Sequence, residues 1–368
     1  MSGAAWPPLR DELRGVEPYG APQLDVPVQL NVNENPYGPS EACVADIAAA
    51  AAAAATTLNR YPDREFTALR TELAAYLSRD AGERGIAPAQ VWAANGSNEV
   101  MLQLLQAFGG PGRTAVSFAP TYSMYPEYAR DTSTRWVAGR RADDFALDLD
   151  AARDLVKTEQ PSVILLPSPN NPTGTALPPE AVGVLCEAAG DEGIVVVDEA
   201  YGEFRRAGVP SALELLPSYR NLVVTRTMSK AFAGAGLRLG YLAAAPEICD
   251  AIRVVRLPYH LSAVTQAVAL AALCHAPELL GKVDDLRRER DALVGWLRAE
   301  GYDVADSDAN FCLFGRFADR HAVWQGLVDR GVLIRETGPE GWLRVSVGTP
   351  DEMAAFRAAL SDVNGVRA

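Results

Sequence analysis

Between Val91 and Thr225 the chain repeats one alternation, and that alternation narrows the folds open to it. Short apolar runs at 91–94, 114–118, 162–166, 194–197 and 222–225 are separated by stretches of helical character, among them 95–108 and 179–189. Short apolar strands alternating with helices build a mainly parallel sheet covered on both faces. Ligands of such sheets bind beyond the carboxyl ends of the strands. In this chain a polar cluster follows each strand, so the alternation also says where to look for chemistry.

The flanks differ in character. Residues up to about Leu30 form a proline-rich arm that needs another surface to pack on, with Tyr19 in a turn. An Asn/Pro/Gly-rich segment at 30–39 is too irregular for regular structure. An alanine-rich helix is expected at 48–55, and Asp63 is placed to cap the helix through 69–77. After about His260 a long helical region, 263–300, leads to strand-like runs at 311–314, 332–335 and 343–347. This α+β pattern predicts a second, smaller domain. The expected division is an arm at 1–37, a large domain at 38–262 and a small domain at 263–368.

Composition sets the outer bounds. A net charge of −13 argues against a nucleic-acid binder, since phosphate backbones need a basic face. The run 48–55 is too short and weakly apolar to span a bilayer, and no signal peptide is visible in the first 25 residues. The five cysteines are scattered without metal spacing and read as reduced thiols of a cytoplasmic protein.

The clusters carry recognisable chemistry. After the run at 222–225 stand Thr227, Ser229 and Lys230, then small residues and Arg238. A lysine so placed is a candidate Schiff-base nucleophile, because desolvation and nearby cations favour its neutral amine. Thr227, Ser229 and Arg238 suit a phosphate. Ser97 and Asn98 open a helix whose free N–H groups could hold the same anion, though both residue types also cap helices without ligands. Tyr122 could stack on a planar ring or serve as a rim aromatic. Asn170 and Asn171, between two prolines, display amides. Asp198 ends a buried strand, where an ionised carboxylate needs a cation or donors, and Tyr201 lies three residues on. Lysine, acid, amide, phenol, stacking ring and phosphate donors together describe a pyridoxal-phosphate site.

The ordered motifs Asn33-Glu34-Asn35-Pro36-Tyr37-Gly38-Pro39, Tyr61-Pro62-Asp63, the 168–174 turn, Asp198-Glu199-Ala200-Tyr201 and Ser229-Lys230 with Arg238 resemble fold-type I aminotransferases. The histidinol-phosphate aminotransferase branch is the most similar, over nearly the whole chain. The resemblance implies an α/β fold: a large domain with a mostly parallel seven-stranded sheet between helices, a smaller α+β domain and an N-terminal arm. It implies pyridoxal 5′-phosphate as cofactor, with Lys230 forming the imine and shuttling a proton. Asp198 would pair with the pyridine nitrogen, Asn171 and Tyr201 hold the ring oxygen, and Tyr122 stack on the ring. Ser97, Asn98, Thr227, Ser229 and Arg238 fall where the family holds the phosphate. Tyr61 would reach that phosphate from the other subunit of a homodimer with shared sites. Arg335 and Arg344, with Tyr19 and Asn33, would hold the substrate's anionic group.

The implied reaction moves an amino group between L-histidinol phosphate and 2-oxoglutarate, giving imidazole-acetol phosphate and L-glutamate. Three rivals use a related chain. They are an aromatic-amino-acid aminotransferase, a threonine-phosphate decarboxylase and the aminotransferase-like domain of a transcription regulator.

Overall fold

The computed structural model describes residues 7–365. The arm carries a 3-10 turn at Asp11–Leu13 and a short strand, β1 (Val28–Gln29), before α1 (Glu41–Ala55) and α2 (Thr67–Leu77). Then follow β2 (Val91–Ala94), α3 (Ser97–Phe108), β3 (Thr114–Ala119), α4 (Tyr125–Asp131), β4 (Arg135–Arg140) and α5 (Leu149–Glu159). Next come β5 (Val163–Pro167), α6 (Pro179–Ala189), β6 (Ile194–Asp198), β7 (Leu222–Thr227), β8 (Gly240–Ala244) and α7 (Pro246–Val255). The C-terminal part holds α8 (Ala263–Cys274), α9 (Ala276–Gly281), α10 (Val283–Ala299), β9 (Asp303–Val304) and β10 (Phe311–Gly315). It ends with α11 (Arg320–Val328), β11 (Val332–Leu333), β12 (Trp342–Ser346) and α12 (Pro350–Gly365).

Seven strands form the main sheet in the order β2-β8-β7-β6-β5-β3-β4. Every pairing is parallel except the two made by β8. The central strands β5 and β6 are buried at every position, as unbroken apolar runs covered on both faces must be. Each such Val, Ile or Leu contributes roughly 1.5–3 kcal/mol of burial. Strand order reverses between β3 and β5, so the loops after these strands diverge and leave a crevice at their carboxyl ends.

Local differences from the sequence reading have simple causes. The alanine-rich helix starts at Glu41 because the Ser40 hydroxyl accepts from Cys43 N at 3.2 Å. Asp63 caps α2 from a turn further back than expected, its carboxylate accepting from Thr67 N at 2.7 Å and Glu65 N at 2.9 Å. The helical region 263–300 is three helices rather than one. Pro277, in the first turn of α9, lacks the N–H that would continue α8.

A three-stranded antiparallel sheet, β12-β10-β9, builds the second layer. The arm is stitched into it. Val28 lies opposite Val332 in a parallel pair, Leu30 N donates to Leu333 O at 2.7 Å, and Ser346 N donates to Leu30 O at 2.9 Å. Leu30 is buried with Ile334, Val345, Met353 and Phe356. The arm therefore packs on the C-terminal strands, and from there it crosses to the main sheet.

Candidate active site

The chain leaves β7 at Thr227 and returns antiparallel in β8, and the connection closes tightly. Met228 N donates to Leu239 O at 3.0 Å and Gly234 N to Met228 O at 2.9 Å. Lys230 projects from this connection into the crevice, where its Nζ donates to Val32 O of the arm at 2.8 Å. Burial, then the guanidinium of Arg344, pushes this amine down to about 8, with Arg238 adding to the effect and Glu34 opposing it. A substantial neutral fraction at physiological pH follows, as a nucleophilic lysine needs.

Beside it lies a cup of donors. The Thr227 hydroxyl is 3.0 Å from that of Ser229, and Arg238 Nη1 donates to Ser229 Oγ at 3.3 Å. Ser97 and Asn98 line the same crevice at the start of α3, with free N–H groups and the positive helix end. Close packing explains two glycines here. A Cβ on Gly96, whose φ is +86°, would stand 2.6 Å from Arg238 Nη2, and one on Gly240 would stand 2.1 Å from Ser97 N.

At the other side of the crevice Asp198 is 7% exposed and has no ion-pair partner among the described residues. Its carboxylate accepts from Tyr125 OH at 3.0 Å, Thr225 Oγ1 at 3.1 Å and Ala200 N at 3.1 Å. Burial pushes its carboxyl up against those three bonds. A buried carboxylate that lines a crevice without a cation is a seat for one. Tyr201 is buried nearby, and its hydroxyl accepts from Asn33 Nδ2 at 2.9 Å. Asn33 is itself held by Ser346 of β12, whose hydroxyl donates to Asn33 Oδ1 at 3.0 Å. Tyr122 lines the crevice, with its ring edge-on to Tyr125 at 5.5 Å.

The arm and the C-terminal strands close the opposite end. Arg344 of β12 is 6% exposed; its Nη1 donates to Asn171 Oδ1 at 2.6 Å and its Nη2 to Asn31 O at 2.8 Å. Because a guanidinium only donates, the Asn171 oxygen must face it, which leaves the amide N–H groups for the crevice. Arg335 donates to Gly20 O at 3.1 Å, and Tyr19 OH accepts from Ser123 Oγ at 3.2 Å. Arg335 Nη1 and Arg344 Nε are buried without a hydrogen-bond partner. Unsatisfied guanidinium donors at one end of a crevice suit an anion.

The crevice, of about 240 Å³, thus gathers every site residue expected from the sequence but Tyr61. Tyr61 is 80% exposed and stacks on Tyr259 at 4.4 Å, away from the crevice. Sequence reasoning missed Tyr125, Thr225, Asn31 and the Val32 carbonyl. Tyr125 left a faint signal, three residues past Tyr122 at a helix start.

It also missed the ion cluster on the far side of the β6 and β7 ends. Arg226, 1% exposed, donates to Glu199 Oε2 from Nε at 3.0 Å and from Nη2 at 2.8 Å. The same guanidinium reaches Glu203 at 3.4 Å and Asp80 at 2.8 Å. Glu199 also takes Arg205 at 3.2 Å, the Ser211 hydroxyl at 2.7 Å and Ala212 N at 2.7 Å. Residues 198 and 225 meet on one face, 199 and 226 on the other, so the cluster clamps the strand ends that carry Asp198 and Thr227.

The donor set fits pyridoxal 5′-phosphate. It offers a cup with Arg238 for the phosphate, a lone carboxylate for a pyridinium, donors for a ring oxygen, an aromatic face and a depressed amine. Comparisons with known proteins agree. A family model described as aminotransferase class I and II matches residues 26–360. The histidinol-phosphate aminotransferase of Thermobifida fusca is 64% identical over 97% of this chain and 96% of its own length. Histidinol-phosphate aminotransferase 3 of Burkholderia lata is 62% identical over 97% of this chain and 95% of its own. The crystal structure of histidinol-phosphate aminotransferase from Sinorhizobium meliloti in complex with pyridoxal-5′-phosphate shares the fold, with a TM-score of 0.84 at 24% identity. It covers 99% of this chain and 100% of that one. The chain belongs to the class I and II aminotransferases, and within them to the histidinol-phosphate aminotransferases.

Proposed function

We propose that the chain is a pyridoxal-phosphate-dependent transaminase. It exchanges an amino group between L-histidinol phosphate and 2-oxoglutarate, giving imidazole-acetol phosphate and L-glutamate, as a step of histidine biosynthesis. The observation that carries this reading is a depressed lysine amine and an ion-pair-free buried carboxylate in one crevice, closed at its far end by two arginines that each keep one buried nitrogen without a partner. The identity to named relatives supports the choice of substrate.

When bound, the cofactor supplies an electron sink for negative charge at the substrate Cα. The chain's residues do the rest. Lys230 would anchor the group through its amine and, when freed, would move the proton lost from the substrate Cα: its neutral form would accept that proton and its ammonium would give it back. Asp198 would hold the ring nitrogen in its protonated form, Asn171 and Tyr201 would donate to the ring oxygen, Tyr122 would cover the ring, and Ser97, Asn98, Thr227, Ser229 and Arg238 would hold the phosphate. Arg344 and Arg335, with Tyr19 and Asn33, bind the substrate's anionic end. Fork-shaped guanidinium groups accept a phosphate or a carboxylate alike, so one site can serve both amino donors.

We read the protein as a homodimer. Tyr61 and Tyr259 stand with Leu58, Val254 and Leu257 as exposed apolar side chains, and a second copy reached by Tyr61 would bury them. The free cysteines suit a reducing compartment, the cytoplasm. Among the described residues no single helix is long and apolar enough to cross a membrane.

An anaerobic half-reaction tests the assignment. Protein loaded with pyridoxal phosphate is mixed with L-histidinol phosphate, L-phenylalanine or L-threonine phosphate while its visible band is followed. Bleaching by micromolar histidinol phosphate, restored by 2-oxoglutarate and absent in Lys230→Ala, is the expected result. Bleaching by phenylalanine alone would transfer the assignment to the aromatic aminotransferases, and carbon dioxide from threonine phosphate to the decarboxylases.

A further inference from the structure

Asp198 is held by more than its own strand. Thr225 and Ala200 are near neighbours in the β6–β7 end, but Tyr125 comes from α4, across the strand-order reversal. The Tyr125 side chain is fully buried, and its hydroxyl's hydrogen bond goes to Asp198 Oδ2 at 3.0 Å. Its ring meets Tyr122 edge-on, with the planes at 90°. One buried side chain thus touches both the residue proposed to hold the ring nitrogen and the residue proposed to cover the ring face.

We propose that Tyr125 is a positioning residue for the cofactor ring: its hydroxyl keeps Asp198 ionised and aimed, while its ring sets the tilt of Tyr122. This rests on the reading of the crevice as a pyridoxal-phosphate site. The physical reason is directional. Tyr125 is the sole donor to Oδ2, while Thr225 and Ala200 both donate to Oδ1, so the Tyr125 bond favours the anion and fixes the carboxylate's plane from the side its strand does not hold. With that donor lost, the carboxylate binds a proton more tightly, and a proton shared with a ring nitrogen moves towards Asp198. The other ionisable groups near the pair are Glu199 beside Asp198, the buried Arg141 guanidinium beside Tyr125, and the phenols Tyr122, Tyr128 and Tyr201. None of them donates to the carboxylate, so none can substitute for the Tyr125 hydroxyl.

Tyr125→Phe removes the hydroxyl and keeps the ring. Apo-protein is reconstituted with pyridoxal phosphate labelled with nitrogen-15 in the ring, and the nitrogen chemical shift is read with the cofactor's dissociation constant. The expected result is a shift from the protonated towards the unprotonated position and a several-fold weaker affinity. In an Asp198→Asn background the same change should leave the nitrogen shift unmoved, because the route through the carboxylate is gone. A Tyr125→Phe protein with wild-type nitrogen shift overturns the proposal, even if its apo form melts earlier, since that pattern marks structural packing alone. A shift that moves equally in the Asp198→Asn background also overturns it. Wild-type protein that takes up no pyridoxal phosphate overturns the site reading itself, a separate failure visible before any variant is compared.

Discussion

Replacing Arg226 by methionine isolates the clamp beneath the active site, because methionine keeps the apolar stem and deletes the charge. Three carboxylates are left behind; Asp80 is partly exposed and keeps Arg205 at 3.6 Å, and the two buried ones are not equal. Glu199 retains Arg205 at 3.2 Å, the Ser211 hydroxyl and Ala212 N, whereas Glu203 retains the Tyr76 hydroxyl at 2.9 Å, a backbone N–H and the more distant field of Arg205, and has an Oε2 without a partner. Breaking a buried pair by removing one partner costs about 3–5 kcal/mol. Most of that cost should fall on Glu203, which escapes it by binding a proton. Burial already holds the Glu203 carboxyl above its usual range, with Arg226 the main opposing influence. The sign follows. A carboxyl whose folded pKa is raised favours folding fully below its unfolded value of about 4.3 and loses that contribution as pH rises through the folded value. The Arg226→Met deficit should therefore be smaller at pH 5.5 than at pH 8. Urea unfolding of the apo-protein, followed by tryptophan fluorescence, reads it. Adding Glu203→Gln should recover at least about 1.5 kcal/mol at pH 8. A deficit under about 1 kcal/mol, or one equal at both pH values, would refute the assignment of the cost to Glu203.

Two further outcomes follow from the crevice. Since the Lys230 amine titrates at about 8, the rate at which apo-protein captures pyridoxal phosphate should rise with pH through that value and then level off. Stopped-flow absorbance between pH 6.5 and 10 checks it, and a flat profile would remove the depressed amine from the argument. Arg344→Lys keeps the charge but cannot reach Asn171 and Asn31 with one fork, so KM for both amino donor and acceptor should rise about tenfold or more, with a smaller loss in kcat. Steady-state kinetics with unchanged KM for both would take Arg344 out of the anion site.

The central strands were legible because 163–166 and 194–197 are unbroken apolar runs, which only two-sided burial explains. β4 escaped notice because Arg-Trp-Val-Ala-Gly-Arg is an edge strand, half in water, whose alternation is broken by a glycine and bracketed by charge. β8, Gly-Tyr-Leu-Ala-Ala, holds one strong strand former, Tyr241, among a glycine and two alanines, and looked like the tail of the lysine loop. Site residues that follow a strand were visible, since position in an α/β sheet predicts them. Partners supplied from elsewhere were not. The Tyr125 hydroxyl meets a carboxylate 73 residues away, and the Arg226 guanidinium one 27 residues away, pairings that no local pattern encodes. The arm announced that it needed a surface, but its register against Val332 depends on a strand at the other end of the chain.

The closed connection between β7 and β8 has a consequence for engineering. Ser229, Lys230 and Arg238 ride on one clip that is fastened to itself by Met228, Leu239 and Gly234. The groups at the substrate end ride on the arm and on the two C-terminal strand segments bridged by Arg335 and Arg344, which are fastened to one another instead. The enzyme is thus two cassettes that meet along a packed seam, with Lys230 to Val32, Tyr201 to Asn33 and Asn171 to Arg344 as polar contacts in the crevice and Tyr201 to Phe311 and Phe145 to Trp342 as aromatic ones. Transplanting the second cassette as a unit, arm and strands together, would keep the coenzyme socket calibrated only if it carried Arg344, Asn33 and the Val32 carbonyl along, because these set the Lys230 amine, Asn171 and Tyr201. Grafting either half of that cassette alone would leave the arm without its register.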